Sequence, residues 1–157
     1  MEKIIKEWRH YLKEEMSRKF TSRVIIINHE GKILLLQNKE DNKLYSNQWV
    51  LPGGGSEPGE DPKMCAVRET AEETGLKLLE QDLHMVGSFL KKNKKVYIFT
   101  CEKFEGTVNM KDVSLEHQNY DWIEPSDLDN YHIMKGAESL IRKAFAASDV
   151  WRTQQLL

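Results

Sequence analysis

Glu69, Glu72 and Glu73 stand at i, i+3 and i+4 of a stretch, RETAEETGL, that has a helix start signal before it and a stop signal within it. At roughly 100° per residue, three carboxylates with this spacing fall within an arc of about 100°. Like charges one turn apart destabilise a helix, so the cluster asks for a compensating cation. Arg68, one turn before Glu72, offsets part of the repulsion. A hard divalent ion such as magnesium does so better, because it takes oxygen ligands and keeps water and substrate phosphate in its shell. Just upstream, Gly53, Gly54 and Gly55 follow Pro52, and a glycine run lets backbone N–H and C=O groups come close to a ligand. On its own ETAEET reads as a solvated helix face; the glycine turn ahead of it points to a site.

The full spacing resembles the signature of the Nudix hydrolases. Gly54 is followed by five residues, Glu60, seven more residues, and then Arg68-Glu69-Thr70-Ala71-Glu72-Glu73-Thr74-Gly75-Leu76. All seven fixed glycine and polar positions are present, and Thr70 alone departs, standing where the pattern has an aliphatic residue. The resemblance implies cleavage of a nucleoside diphosphate linked to another moiety, by attack of water on phosphorus, with magnesium or manganese bound by the helix. It assigns Glu69, Glu72, Glu73 and the Gly53 carbonyl as metal ligands, and Glu69 also to activating or orienting water. Arg68 then holds the carboxylates in place, with Gly54 and Glu60 in support. The family often has a basic residue after its second strand, where this chain has Lys39 next to Asn38. An acid ahead of the late tryptophan completes the metal site or serves as base; here that is Glu116, with Asp121 behind it.

Substrate is legible only in outline. The turn WVLPGGGSEPGE is more similar to those of mutator-type nucleoside triphosphate cleavers, or of the ADP-sugar group, than to that of the dinucleotide group. A nucleoside triphosphate, cleaved to monophosphate and pyrophosphate, is the leading substrate, and ADP-ribose or a nucleotide sugar is the alternative. A catalytically idle nucleotide-binding regulator is the reading from another class. The intact acids stand against it, since a binder needs no water-activating set.

The elements that position these residues follow from local pattern. Asp61-Pro62 starts the acidic helix and Gly75 stops it, while Met64, Ala66, Val67, Thr70, Ala71 and Thr74 form the arc that packs on a core. Residues 24–27 and 33–36 are aliphatic and β-branched and predict a hairpin of buried strands. Residues 40–48 form a polar loop and 49–51 a short strand with Trp49 in the core. Strands over 83–90 and 96–101 flank a turn rich in lysine (Lys91, Lys92, Lys94, Lys95), a local attraction for a polyanion. A loop over 102–115 leads to a strand over 116–123, and a closing helix spans 135–147. Residues 2 to about 18 form an amphipathic helix, with Ile4, Ile5, Trp8 and Tyr11 in its apolar stripe, expected to pack on its own domain.

The whole is read as one α/β domain over 1–157, an α/β/α sandwich of the Nudix type with a mixed sheet. Its core covers about 20–147, the N-terminal helix 1–19 and a tail 148–157. With 39% hydrophobic and 31% charged residues and a net charge of -2, no global field recruits nucleic acid or membrane. Cys65 and Cys101 form no disulfide framework, and no apolar run resembles a signal peptide or a membrane span. The expectation is a cytoplasmic monomer or homodimer acting on a small nucleotide. The five histidines show no i, i+4 pair and G-x-S-x-G is missing, so zinc hydrolysis and a serine triad lack support.

Overall fold

The computed structural model describes residues 1–147; the side chains of 12–17, 135 and 147, and the expected tail over 148–157, lie outside that description. Two sheets form the centre. In the first, β1 (Phe20–Ile26) pairs antiparallel with β4 (Gly53–Gly55) and parallel with β6 (Lys94–Cys101), which pairs antiparallel with β5 (His84–Lys91). The second is antiparallel, with β2 (Ile33–Asn38) between β3 (Trp49–Val50) and β7 (His117–Ile123).

The aliphatic runs explain this arrangement and correct one expectation. Val24 to Ile27 and Ile33 to Leu36 are all at most 1% exposed, so successive side chains on both faces are covered, as in strands sandwiched between layers. Alternate residues enter different clusters. Val24, Ile26 and Leu34 pack with Ala66, Leu76 and Phe99, under helix α2 (Pro62–Thr74). Ile25, Ile27 and Leu35 pack with Ile98, Ala137, Ile141 and Phe145, under helix α4 (Lys135–Ala147). β1 and β2 therefore do not continue as the expected hairpin: they meet at the single bridge Ile27–Ile33 and part into the two sheets.

Two further expectations change. Within 102–115, Asn109 caps a short helix α3 (Met110–Val113) by accepting from the Lys111 N–H, and Val113 is buried with Leu36 and Val50. Helix α1 (Glu2–Ser17) forms as the periodicity predicts, but it does not pack on its domain: Ile4, Ile5, Trp8 and Tyr11 remain 45–60% exposed. The core clusters are already covered by α2 and α4, which leaves the stripe no apolar layer to join. Among the described residues no helix is long and apolar enough to cross a membrane.

Candidate active site

Helix α2 is fixed at both ends as its sequence dictates. Asp61 Oδ1 accepts from the Met64 N–H at 2.9 Å, Pro62 opens the first turn, and Gly75 closes the helix by donating to the Ala71 carbonyl. Cys65, Ala66, Thr70 and Thr74 are buried. Burial pushes the Cys65 thiol pKa up, in keeping with a packing residue and not a nucleophile. Once this face is committed to the core, the glutamates are distributed around what remains.

Arg68 organises one group of them. Its Nε and Nη2 donate to the two oxygens of Glu60 at 2.7 and 3.0 Å, Nη2 also reaches the Gly55 carbonyl at 2.9 Å, and Nη1 donates to Glu69 and Glu72 at 3.1 Å each. The two-pronged bond is the strong geometry for a guanidinium and a carboxylate. It holds the Glu60 carboxyl below its ordinary pKa and raises that of Arg68. The acidic helix is thereby tied to the glycine turn through one cation.

Glu73 is in the opposite situation. It is 5% exposed, and among its oxygens Oε2 accepts from the Gly53 N–H at 3.1 Å. Burial pushes its pKa up to about 8, with Glu69 and Glu116 adding to the rise while Arg23 and the Gly53 N–H oppose it. Burial also raises Glu69, against the pull of Arg68. The backbone is shaped to these acids. A Cβ on Gly54 would sit 2.6 Å from the Glu69 carboxylate, and one on Gly53, at φ +144°, would sit 2.1 Å from the Ser22 carbonyl oxygen. Gly53 requires glycine by its backbone, whereas a side chain at Gly54 would displace the Glu69 carboxylate.

A cleft of about 440 Å³ opens on this arrangement. Glu69, Glu73, Glu116 and the backbone of Gly53 to Gly55 line its acidic part, with Arg23 beside them. Glu72 and Glu60 are held by Arg68 and do not line it, and Lys39 turns its ammonium to the Leu115 carbonyl at 3.5 Å. Asp121 accepts from the Tyr131 hydroxyl at 2.7 Å, which pushes that hydroxyl up to about 12; its place is with that ring and not with the acids of the cleft. Among the described residues no three acidic, histidine or cysteine side chains form a ready-made ion cage. Arg68 supplies the positive charge that Glu69 and Glu72 share. The donors nonetheless fit a hard divalent cation: they are carboxylate oxygens, two of them, Glu69 and Glu73, disfavoured as anions by burial and by neighbouring acids, next to the peptide groups of the glycine turn.

Several lining residues escaped the sequence reading. Arg23 donates to the Leu51 and Gly53 carbonyls at 2.7 and 3.4 Å, and a charged residue at the head of an aliphatic strand was a usable signal. Tyr45, in the polar stretch before β3, lies under the Lys91 ammonium at 3.9 Å from its ring centroid. This contact ties that stretch to the end of β5. Asn38 and His117 line the cleft from β2 and β7; their signal in the sequence is position alone, Asn38 beside Lys39 and His117 beside Glu116.

A sequence profile described as the NUDIX domain matches residues 18–144. A relative named nucleoside triphosphatase NudI, from Escherichia coli O1:K1 / APEC, is 28% identical over 130 residues, covering 74% of this chain and 90% of its own. Among solved structures, a MutT protein from Methanosarcina mazei Go1 superposes with a TM-score of 0.67 at 25% identity, covering 86% of this chain and 99% of that one. A C. elegans Ap4A hydrolase binary complex superposes at 0.58 with 28% identity, covering 81% and 96%.

Proposed function

This chain belongs to the Nudix family of hydrolases, which act on phosphorus-containing anhydrides, and from that premise we propose that it converts a nucleoside triphosphate and water to a nucleoside monophosphate and pyrophosphate. The observation that carries the reading is the enclosed acid pair, Glu69 and Glu73, set against the Gly53 to Gly55 turn inside one cleft. The relative named as a nucleoside triphosphatase supports the choice of substrate.

Nudix hydrolases generally use divalent metal ions, and in this chain Glu69, Glu73 and the Gly53 carbonyl would hold magnesium, with manganese as the alternative, and Glu72 would join them on giving up its bond to Arg68. When bound, such an ion neutralises charge on phosphate oxygens and lowers the pKa of water. The chain's own residues do the rest. Arg68 braces the carboxylates and is itself braced by Glu60. Arg23, whose guanidinium already faces the Gly53 carbonyl, supplies positive charge to the phosphate chain. Glu116, on the short connection ahead of β7, lines the same cleft, which supports it as acceptor of a proton from the attacking water, with Glu69 orienting that water. Lys39 reaches the Leu115 carbonyl at 3.5 Å and its charge is felt at His117 on the cleft wall, so its contribution is positive charge at the edge of the cleft.

The test is a panel of nucleoside triphosphates, ADP-ribose, nucleotide sugars and dinucleoside polyphosphates assayed with magnesium. Release of pyrophosphate from a triphosphate is expected to dominate. Dominant turnover of a nucleotide sugar moves the substrate, and binding of every nucleotide without turnover replaces the enzyme by a regulator.

A further inference from the structure

Beyond the acids, the cleft contains a buried polar pair with no part in the reaction as described. His117 and Asn38 face one another across the β2–β7 ladder, at the place where the register shifts. They are 6% and 8% exposed, and the four residues before Gln37 in β2, Ile33 to Leu36, are wholly buried and apolar. Both members of the pair line the cleft. Asn38 is held on two sides: its amide nitrogen donates to the Tyr45 carbonyl at 3.1 Å and its backbone N–H to the Gln48 carbonyl at 2.8 Å. His117 is not so held, and its Nδ1 is enclosed without a hydrogen-bond partner.

A buried polar atom left unpaired carries a cost, and native structures retain few of them without a reason. The tautomer of an imidazole is normally set by the bond that its second nitrogen makes to the protein. With Nδ1 unbonded, nothing in this chain selects the tautomer, so a ligand touching the ring can do so. Burial and the Arg23 and Lys39 charges near the ring keep this imidazole neutral, which suits it to an uncharged hydrogen-bonding group; beside it the cleft offers the Tyr45 side chain, under the Lys91 ammonium, and the apolar side chains of Val50 and Met134. Arg23, whose charge is felt both at this ring and at Glu73, is the group that matches phosphate.

We infer that His117 is a specificity-determining residue that hydrogen-bonds the edge of the substrate's nucleobase and, by switching tautomer, accepts keto and amino edges alike. The inference rests on the nucleotide-hydrolase reading above. It deepens that reading by naming the base contact and by specifying a base range: this chain discriminates poorly between bases that differ only by exchange of a carbonyl for an amino group.

Two matched pairs test it, UTP with CTP and ITP with ATP, together with ribose 5-triphosphate as a substrate lacking a base. Wild-type kcat/KM is expected to differ by less than about tenfold within each pair. His117→Phe is expected to lower kcat/KM for the triphosphates that carry a base by about 10- to 100-fold, as for a lost hydrogen bond, and to lower it for ribose 5-triphosphate by less than about threefold. An equal loss on ribose 5-triphosphate marks a structural role and overturns the inference, as does no loss on any substrate. A preference above about 100-fold within a pair overturns the tautomer switch. Should His117→Phe fail to fold, the wild-type chain labelled with ¹⁵N-histidine decides. Its imidazole nitrogen shifts should move in opposite senses on binding non-hydrolysable UTP and CTP analogues, and unmoved shifts reject the contact. A wild-type chain that binds these analogues with moving shifts yet turns over none of the substrates, ribose 5-triphosphate included, refutes the hydrolase reading and leaves the base contact standing.

Discussion

Around Arg68, every prong of the guanidinium meets an acid or carbonyl oxygen at 3.1 Å or less, and Glu60 answers it with both oxygens. Around Glu73, one turn further along the same helix, the carboxyl is 5% exposed and has the Gly53 N–H at 3.1 Å, with Arg23 as its nearest favourable charge. The two regions use the same chemical groups. In the first, charge is matched and the geometry is rigid, so the network serves as a brace. In the second, the carboxyl is enclosed and its charged form is disfavoured, which supports the proposed uptake of a cation there.

The largest test of that contrast is the removal of charge from the enclosed acids. Glu69→Gln and Glu73→Gln should each lower turnover by about 10²- to 10³-fold or more, read as pyrophosphate release with magnesium. Metal-free Glu73→Gln should at the same time be at least as stable as the parent. Near-normal turnover in either variant would erase the distinction between brace and site. Glu72→Gln should cost less, about tenfold to a hundredfold, and mainly as a higher magnesium half-saturation, because its carboxylate is already shared with Arg68.

The pH dependence of stability separates the regions in a second way. The folded-state pKa of Glu73 lies near 8, above its ordinary value of 4.5, so the folded protein holds this proton more tightly than the unfolded chain. The associated stability is fully present below pH 4.5 and is lost as pH rises towards 8. The fall is at most on the order of 5 kcal/mol, measured by urea unfolding with chelator present. Glu73→Gln should flatten that slope; a slope that persists assigns it to another group.

Smaller effects belong to the brace and to the helix outside the core. Arg68→Lys keeps the charge and loses the two-pronged bond to Glu60, and should reduce unfolding free energy by about 1–2 kcal/mol. A wild-type unfolding curve in that variant would show that the brace is not structural. Trp8→Ser on α1 should change stability by less than about 0.5 kcal/mol and leave turnover intact; a larger loss would mean that this exposed helix supports the fold after all.

Much of the acidic half of the site was legible because it is local. Asp61, Pro62 and Gly75 bound a helix by backbone geometry that depends on a few neighbours, and Glu69, Glu72 and Glu73 share a face for the same reason. The strands were legible as apolar runs, but not their pairing. Val24 to Ile27 and Ile33 to Leu36 are equally suited to one hairpin or to two layers, and the packing of α2 and α4 on either side decides. The stripe of α1 shows the converse. Periodicity predicted the helix correctly and its burial wrongly, because a helix buries its apolar face only where a layer is left open.

The amino-acid order alone determined the family, the capped acidic helix and the glycine turn, since each is written in residues a few positions apart. Only the tertiary structure decided that Glu73 is enclosed while Glu72 is held by Arg68, that Arg23 stands with the acids, and that Asn38 and His117 meet on one wall. Those facts depend on strands distant in the chain lying side by side, and burial, which sets the charge and hydrogen bonding of each group, exists only once they do.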